Sequence, residues 1–228
     1  MIIDKNIKLA KFIRRPNRFQ AYVELDGEEL MVHVPNTGRC REILIPGVTV
    51  VLREESNPSR KTPYDLIAGY KDNKLINIDS QIPNKVVEEA LRNGSIEELV
   101  NYKDIKREKT FGNSRFDFKL MDEFEYFLEV KGVTLEKEGI TKFPDAPTER
   151  GTKHLLELVQ VKKTGRGAGV LFLIQMENAK IFKPHDEMDK NFGEALRFAY
   201  SKGVDVMAYD CIVREDLISL NNKVEVIL

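Results

Sequence analysis

Apolar and polar residues alternate in short runs along the first third of the chain, and turn residues separate these runs. Residues 19–25 and 30–34 each have the pattern of a half-buried strand, and Asp26-Gly27 between them is a hairpin signal. Three more short extended segments follow, at residues 48–53, 65–70 and 74–78. Because helical periodicity is almost absent here, the pattern predicts a small antiparallel barrel, and an OB-like barrel fits its strand number and size best.

The pattern changes at residues 79–84, where we expect one domain to end and another to begin. Apolar residues then recur at helical spacing and Gly94 is a natural helix end, the recurring positions being Val86, Val87, Ala90 and Leu91. Ser95 and Glu98 have the spacing of a capping box, which predicts another helix start. We therefore expect an OB-like domain over residues 1–80 and a second domain over residues 81–228.

In the second domain, predicted strands and helices alternate from about residue 104. One helix has an apolar stripe at Leu155, Leu158 and Val159, and a later helix has one at Phe192, Ala195, Leu196 and Ala199. The glycine-rich run at 165–169 precedes a strand, so it predicts a turn and not a dinucleotide-binding loop. The predicted fold class is α/β with a β domain, in which the barrel is followed by a mixed sheet flanked by helices.

Two predicted strands of the second domain, at residues 114–120 and 124–133, are joined by a tight turn. A three-residue loop pairs Met121 with Glu125, and the register then gives one apolar face formed by Phe116, Phe118, Leu120, Tyr126, Leu128 and Val130. A shift by one residue would move this set into water, so we favour this register. It predicts that Asp117 lies across from Glu129, and Arg115 across from Lys131.

Two carboxylates directly opposite each other, roughly 5 Å apart at Cβ, repel unless something positive lies between them. Mg²⁺ typically binds through one or two carboxylates together with waters and phosphate oxygens. Lys131 would then orient a water or stabilise the charge that develops on a phosphate. A surface ladder, in which Lys131 and Arg115 neutralise the two acids without a metal, explains the same pattern.

The arrangement of Asp117 on one strand, Glu129-Val130-Lys131 on the next, and then a helix resembles the PD-(D/E)XK nuclease superfamily. Arg115-Phe116 precedes Asp117, so the proline of the superfamily pattern is missing there. Three longer motifs are more specific: HVPNTGR at residues 33–39, GNSRFD at 112–117 and FPDAPTERGTKHL at 143–155. With these motifs, nearly the whole chain resembles the sugar fermentation stimulation protein family.

This resemblance implies an N-terminal OB-like domain, a restriction-endonuclease-like C-terminal domain, DNA as a partner and a role in regulating sugar metabolism. It implies that Asp117 and Glu129 bind Mg²⁺ or Mn²⁺ and that Lys131 is the catalytic lysine. The superfamily often adds an acidic residue from an earlier element, and the sequence leaves three candidates open: Glu97, Glu98 and Glu108.

Basic residues cluster near the N-terminus, where residues 1–20 carry six lysines and arginines against one acidic residue. Such a surface attracts polyanions, although on charge counting alone a solvated face is the preferred explanation. Phe19 belongs to the strand alternation and is expected in the core, so Tyr22 is the better base-stacking candidate. His154 is expected to be a packed or hydrogen-bonded residue. The candidate DNA-binding residues are Arg14, Arg15, Arg18, Tyr22, Arg39, Arg115, Arg150 and Lys153.

Composition excludes several other classes of protein. The 228 residues include 36 Lys and Arg against 37 Asp and Glu, and 42% are hydrophobic, as in an ordinary soluble protein. No apolar run approaches the ~20 residues of a membrane span, and the N-terminus lacks a signal-peptide pattern. Cys40 and Cys211 are too few for a disulfide framework or a four-cysteine zinc site, so we expect a cytoplasmic protein.

The sequence therefore predicts a DNA-binding protein with a Mg²⁺-dependent phosphodiesterase site. Two alternatives stay open at this point. One is a non-catalytic DNA-binding regulator of sugar metabolism genes, and the other is a small-ligand sensor with its pocket between the domains. A homodimer is also left open, because cutting both strands of a duplex usually requires two active sites.

Overall fold

The computed structural model describes residues 1–3, 5–57 and 59–228. Its first half contains six strands, β1 (Ile7–Arg14), β2 (Gln20–Leu25), β3 (Glu28–His33), β4 (Thr49–Glu54), β5 (Tyr64–Lys71) and β6 (Lys74–Asn77). They follow the order β3-β2-β1-β4-β5-β6, and a parallel pairing of His33 with Asp65 joins β3 to β5. The first five strands therefore form a closed OB barrel, which confirms the predicted barrel.

The β2–β3 hairpin forms at the predicted turn. Leu25 pairs with Glu28, and Asp26 and Gly27 between them both have positive φ, as a two-residue hairpin loop requires. Ala21, Val23 and Val32 are buried in the barrel interior. The prediction that Phe19 is a core residue is wrong, because the buried alternation begins only at Ala21 and the Phe19 side chain is 55% exposed.

Helix α1 (Ile82–Asn93) follows the barrel and ends at Gly94, whose φ of 75° is the left-handed conformation of a helix C-cap. This confirms the helix predicted from its apolar spacing. The capping box at Ser95 is wrong, because only a short 3₁₀ turn (Glu97–Leu99) follows, with Ile96 at its N-cap. The Ser95 hydroxyl instead donates to Asn93 Oδ1 at 2.6 Å.

The second half is built on a six-stranded mixed sheet. Its strands are β7 (Asp104–Phe111), β8 (Ser114–Met121), β9 (Glu125–Val133), β12 (Gly167–Ile174), β14 (Asp205–Arg214) and β15 (Leu217–Lys223). Their order is β15-β14-β12-β9-β8-β7, and β12 runs parallel to both β9 and β14. The mixed sheet predicted from the alternation of strands and helices is confirmed.

Helices cover both faces of this sheet. Helix α1 belongs to one buried cluster with Phe118 and Leu128, whereas α2 (Glu149–Lys163) and α3 (Lys190–Ser201) belong to the other cluster with Phe116 and Phe127. The apolar stripes predicted for α2 and α3 are buried. No helix in the ranges that the structure describes combines the length and the apolarity that spanning a bilayer demands.

A second, smaller sheet has the order β10-β11-β13-β16 and was not foreseen from the sequence. Its strands are β10 (Leu135–Lys137), β11 (Ile140–Phe143), β13 (Ile181–Pro184) and β16 (Glu225–Val226). Segments of two to four residues are too short to display an alternation, so the sequence gives no signal for them.

The barrel packs directly on the second half. One apolar cluster includes Val34 and Ile76 of the barrel as well as Val133 and Ile174 of the sheet. At the junction, buried Gln175 donates through Nε2 to the carbonyl oxygen of Asn77 at 3.1 Å and to that of Asp79 at 3.2 Å. This buried polar contact fixes the chain just before α1 and so fixes where the first turn of α1 lies.

Candidate functional site

The β8–β9 hairpin has the register that the apolar pattern predicted. Met121 pairs with Glu125, Leu120 with Tyr126, and Phe118 with Leu128. The pairing ends there, however, so Asp117 and Glu129 are not ladder partners. On the other side of Asp117, Glu108 of β7 has a φ of +52° and is likewise missing from the β7–β8 ladder. Asp117 therefore lies at a position where β8 is paired with neither of its neighbouring strands.

This irregularity changes which way β8 faces. Phe116 packs edge-on against Phe127 and His154, with ring centroids 5.8 Å and 6.0 Å away, on the sheet face covered by α2. Phe118, two residues later, packs with Leu128 on the α1 face. The prediction that Phe116 shares the apolar face of Phe118 and Val130 is therefore wrong, because the strand does not stay regular through Asp117.

The carboxylate of Asp117 fills the gap between the strands. Its Oδ2 accepts a hydrogen bond from the backbone amide of Val130 at 2.8 Å, and its Oδ1 accepts one from Nδ2 of Asn84 at 2.7 Å. Burial, reinforced by the negative charge of Glu129, raises the pKa of Asp117 above its ordinary value. Asn84 was missed by the sequence reasoning, because it is 33 residues away on α1 and only the tertiary fold brings it here.

Glu129 is almost fully buried, at 3% exposure. Its Oε1 accepts from Nζ of Lys131 and from Nδ1 of His154, each at 2.5 Å. Burial by itself would raise the pKa of Glu129, but the hydrogen bonds from His154 and Lys131, together with the charge of Lys131, outweigh it and hold the pKa below its usual value. The other oxygen, Oε2, is buried and has no hydrogen-bond partner within the described chain.

His154 of α2 connects this carboxylate to a surface arginine. Its Nε2 accepts from Nε of Arg150 at 3.4 Å, so the ring proton is assigned to Nδ1, which donates to Glu129. The ring is 5% exposed and packs on Phe116. As predicted, His154 is a packed, hydrogen-bonded residue.

The residues at this site fit a divalent cation. Buried polar atoms in proteins are nearly always paired. The unpartnered Oε2 of Glu129, beside a second carboxylate, is therefore the position where a bound cation would give this oxygen a partner. Over residues 1–3, 5–57 and 59–228, no cluster of three or more His, Cys, Asp and Glu side chains is arranged to hold a metal. The protein would therefore supply Asp117 and Glu129, and water or phosphate oxygens would complete the shell.

None of the three acidic residues left open by the sequence is hydrogen-bonded to this carboxylate pair in the part of the chain that the structure describes. Glu98 accepts from the hydroxyl of Tyr209 at 2.6 Å and pairs with Nζ of Lys223 at 2.5 Å. Glu108 pairs with Arg115 at 3.4 Å on the surface. Glu97, which begins the 3₁₀ turn, is exposed. The earlier element that does reach Asp117 is α1, through the amide of Asn84.

Three candidate DNA-binding residues are close neighbours of site residues: Arg115 lies two positions before Asp117 in β8, Arg150 contacts His154, and Lys153 precedes His154 in α2. Arg150 lies on the first turn of α2, and Lys153 one turn further on donates to the carbonyl oxygen of Asn113 in the β7–β8 turn at 3.3 Å. The side chains of Lys153 and Arg115 are 55% and 63% exposed. Three positive side chains are therefore available near the carboxylate pair.

Two of the barrel candidates are engaged within the protein. Arg14 lies 3.9 Å above the ring of Tyr22 and donates to both oxygens of Glu29, at 2.7 Å and 2.8 Å, so one face of the Tyr22 ring is covered. Arg15 is half-buried and gives all its terminal nitrogens to backbone carbonyls, which assigns it a structural role that the sequence did not indicate. Arg18 and Arg39 are exposed.

Two cavities lie between the barrel and the second half. A small cleft of about 160 Å³ is lined by Asn36 and Gly38 of the barrel, Gly132 of β9 and Asp145. A larger open groove of about 1150 Å³ runs between the β5–β6 and β14–β15 hairpins, with charges of both signs along it. The small cleft includes Gly132, the residue that follows Lys131 in β9.

Comparisons with known proteins agree with this architecture. The model of the SfsA N-terminal OB domain matches residues 13–78, and that of the sugar fermentation stimulation protein RE domain matches residues 81–216. Sugar fermentation stimulation protein homologs from Clostridium tetani and Clostridium acetobutylicum are 71% and 69% identical over 230 residues, with full coverage of both chains. The solved structure of Pyrococcus furiosus SfsA in complex with Ca²⁺ is 28% identical with a TM-score of 0.90, again with full coverage of both chains. The chain thus belongs to the sugar fermentation stimulation protein family.

Proposed function

We propose that this protein binds DNA and hydrolyses its phosphodiester bonds with the help of Mg²⁺ or Mn²⁺ held by Asp117 and Glu129. The observation that carries this proposal is the buried, unpartnered Oε2 of Glu129 beside a second carboxylate whose pKa is raised. Desolvation and the negative charge of Glu129 both disfavour the ionised form of Asp117, and a bound cation would relieve both effects.

Each residue of the site has a distinct role in this proposal. A bound metal would polarise the phosphate and make a water more acidic, the usual contribution of divalent metals to hydrolysis. Lys131 keeps a positive Nζ beside Glu129, where it would orient the attacking water or stabilise charge on the phosphate. Asn84 and the amide of Val130 hold the Asp117 carboxylate in place. Arg115, Arg150 and Lys153 would contact flanking phosphates.

The family supports the use of a divalent metal. The Pyrococcus furiosus protein was solved with Ca²⁺, an ion that prefers the same oxygen ligands as Mg²⁺. For this chain we propose Mg²⁺ or Mn²⁺ as the catalytic ion. Catalysis with Mg²⁺ requires a regular coordination shell, whereas Ca²⁺ tolerates larger and more irregular shells.

The experiment is a cleavage assay on labelled single-stranded and double-stranded DNA with Mg²⁺, Mn²⁺ or EDTA. Lys131→Ala is compared with Lys119→Ala, because Lys119 is also a strand lysine paired with a glutamate, Glu125. Metal-dependent cutting that is lost in Lys131→Ala and kept in Lys119→Ala is the expected result. Binding without cutting under every condition would reject hydrolysis.

One observation favours a second candidate, a non-catalytic DNA-binding regulator of sugar metabolism genes. Lys131 and His154 both donate to the same oxygen of Glu129, so most of the charge of that carboxylate is compensated without a metal. In that case the carboxylate pair has a structural role, or is retained from a nuclease fold without taking part in catalysis. The same assay separates the two candidates, because the regulator binds DNA and leaves it intact.

The division of labour within the chain is part of the proposal. We assign a nucleic-acid-binding domain to residues 1–80 and the nuclease-like site, with its flanking phosphate contacts, to residues 81–228; the two family models match residues 13–78 and 81–216 within these bounds. Cutting both strands of a duplex would require two sites, so a homodimer is expected only if duplex cleavage is observed. A single-strand cutter needs one copy.

A further inference from the structure

The arginines of this protein fall into two groups. Nine of the 14 form ion pairs with carboxylates: Arg14, Arg53, Arg60, Arg92, Arg107, Arg115, Arg166, Arg197 and Arg214. Arg15 binds backbone carbonyls and Arg150 contacts His154. Over the described residues, the three arginines whose side chains have no hydrogen-bond or ion-pair partner are Arg18, Arg39 and Arg41.

All three of these arginines line the same groove on the barrel. The groove has a volume of about 490 Å³ and lies between the β1–β2 loop and the loop that follows β3. Five arginines and no acidic residue are among its lining side chains. Elsewhere on this surface carboxylates compensate the arginines, so the groove is a local concentration of uncompensated positive charge, which attracts anions.

Arg15 holds the two walls of the groove together. Its Nη2 donates to the carbonyl oxygens of Arg18 and Asn36, at 2.7 Å and 2.6 Å, and its Nη1 donates to those of Gly38 and Arg39, at 2.7 Å and 2.9 Å. It therefore fixes the backbone of two of the three unpartnered arginines. A ligand then finds their backbone already ordered, which lowers the entropy cost of binding.

Two further features indicate what kind of anion the groove fits. Phe19 directly follows Arg18, one of the groove residues, and its ring is 55% exposed. Exposed aromatic rings beside a basic groove stack the unpaired bases of single strands, whereas the bases of a duplex are already stacked on each other.

The groove also adjoins the small cleft between the barrel and the second half. Gly38 lines both the groove and the small cleft between the two halves, and that cleft is also lined by Gly132, the residue after Lys131. A Cβ atom at Gly38 would come within 2.6 Å of Oδ2 of Asp145, so this loop lies directly against the second half. A strand bound in the groove would therefore pass beside the junction of the barrel with the second half.

We propose that the groove of Arg18, Arg39 and Arg41 binds the phosphate backbone of a single-stranded DNA segment, with Phe19 stacking on one of its bases. The inference rests on the proposed function for the nature of the polyanion and deepens it by naming the strand state. Arg41 and Phe19 are assigned to DNA contact, and Arg15 is a positioning residue.

Binding of a labelled single strand and of the matching duplex, measured by fluorescence anisotropy in EDTA across a range of salt concentrations, tests this inference. Each of Arg18→Gln, Arg39→Gln and Arg41→Gln is expected to reduce the slope of log K against log salt by about 0.7 for the single strand. Arg214→Gln is the matched control, because its side chain is also exposed (62%) but paired with Glu177, and it should leave the slope unchanged. Phe19→Ala should weaken single-strand binding by roughly 5- to 150-fold and duplex binding much less.

Unchanged slopes in the three groove variants would overturn the inference, and so would an equal loss of duplex and single-strand affinity in Phe19→Ala. EDTA keeps binding separate from cleavage, so these outcomes do not depend on whether the protein cuts DNA. The three arginine side chains are exposed, and thermal unfolding should match that of the parent. Arg41→Lys keeps the charge and should restore the slope, which separates loss of a phosphate contact from a folding defect.

Discussion

Nδ1 of His154 donates to Oε1 of Glu129 at 2.5 Å, and the second oxygen of that carboxylate, Oε2, stays buried and unpartnered. Through Nε2, the same ring accepts from Arg150. His154 therefore fixes the orientation of Glu129 from behind and leaves one oxygen free to bind a cation. Outer partners of metal-binding carboxylates commonly act in this way.

Removal of this support should weaken metal binding more than it harms the fold. In His154→Ala, the Mn²⁺ affinity should fall by about 10- to 100-fold, because Glu129 loses the donor that orients it. Isothermal titration with Mn²⁺ measures the change. His185→Ala is the control, since His185 Nδ1 bonds the carbonyl oxygen of Pro144 and its carboxylate neighbour, at 3.5 Å, is the exposed Glu187 and not Glu129. Equal Mn²⁺ affinities in the two variants would show that His154 has no such role.

Asn84 offers a way to change the charge of the site by one unit. In Asn84→Asp, a third carboxylate replaces the amide that donates to Asp117. Without metal, the free energy of unfolding should fall by about 1–3 kcal/mol, because a hydrogen bond to a charged group is lost and repulsion is added. With Mn²⁺, this variant should gain more stability than the parent gains.

Urea unfolding with EDTA and with Mn²⁺ measures both effects. The control is Asn93→Asp at the other end of α1, where an exposed side chain accepts from Ser95 and can still do so as an aspartate. If Asn84→Asp behaves like this control, then residue 84 does not belong to the metal site.

Asp65 should control the acid stability of the barrel. Burial opposes its charge, but hydrogen bonds from Arg60, His33 and Arg53 lower its pKa to about 2. A carboxyl whose pKa is lower in the folded state than in the unfolded state stabilises the fold above its ordinary pKa near 3.8, and this stability is lost as pH falls toward 2. The contribution is about 2 kcal/mol at neutral pH.

Asp65→Asn should therefore lower stability at pH 7 and flatten its loss between about pH 4 and pH 2. Thermal unfolding as a function of pH measures this. The comparison is Asp186→Asn, whose pKa is also lowered by an arginine, Arg197, but on an exposed surface where the pair contributes little. If Asp65→Asn loses stability below about pH 4 as steeply as the parent does, Asp65 does not control the acid stability of the barrel.

Arg15→Lys separates positioning from direct contact in the barrel groove. The lysine keeps the positive charge but cannot reach four carbonyl oxygens in two loops, so the groove should lose part of its order. Single-strand affinity should fall by roughly 2- to 10-fold with the salt slope unchanged. A reduced slope would mean that Arg15 itself contacts a phosphate.

The parts of the fold that follow a local pattern could be predicted from the sequence. The β8–β9 register followed from the apolar alternation, because only one loop length keeps the apolar residues on one side. The end of α1 at Gly94 followed from the left-handed conformation that glycine adopts easily. The prediction that Phe19 is a core residue failed, because Phe19 lies one position before β2. Apolar character alone does not distinguish a strand residue from a loop residue.

The predicted proximity of three candidate residues is found in the structure, but their predicted geometry is not. Asp117, Glu129 and Lys131 are brought together, yet through a break in the strand ladder and not through direct cross-strand pairing. That break coincides with the left-handed backbone of Glu108 and with the amide of Asn84, which comes from another element. Sequence spacing cannot reveal either feature, since the first is a backbone irregularity at a non-glycine residue and the second depends on how α1 packs on the sheet.

Mn²⁺ binding by Asp117→Ala and Glu129→Ala, measured by isothermal titration beside the parent, tests the central claim most directly. Glu125→Ala serves as the control, because Glu125 is a strand carboxylate in the same hairpin that pairs with Arg166 at 2.6 Å and is not part of the carboxylate pair. We expect the parent and Glu125→Ala to bind Mn²⁺, and both Asp117→Ala and Glu129→Ala to lose it. If Asp117→Ala binds Mn²⁺ as well as the parent does, the carboxylate pair is not the metal site.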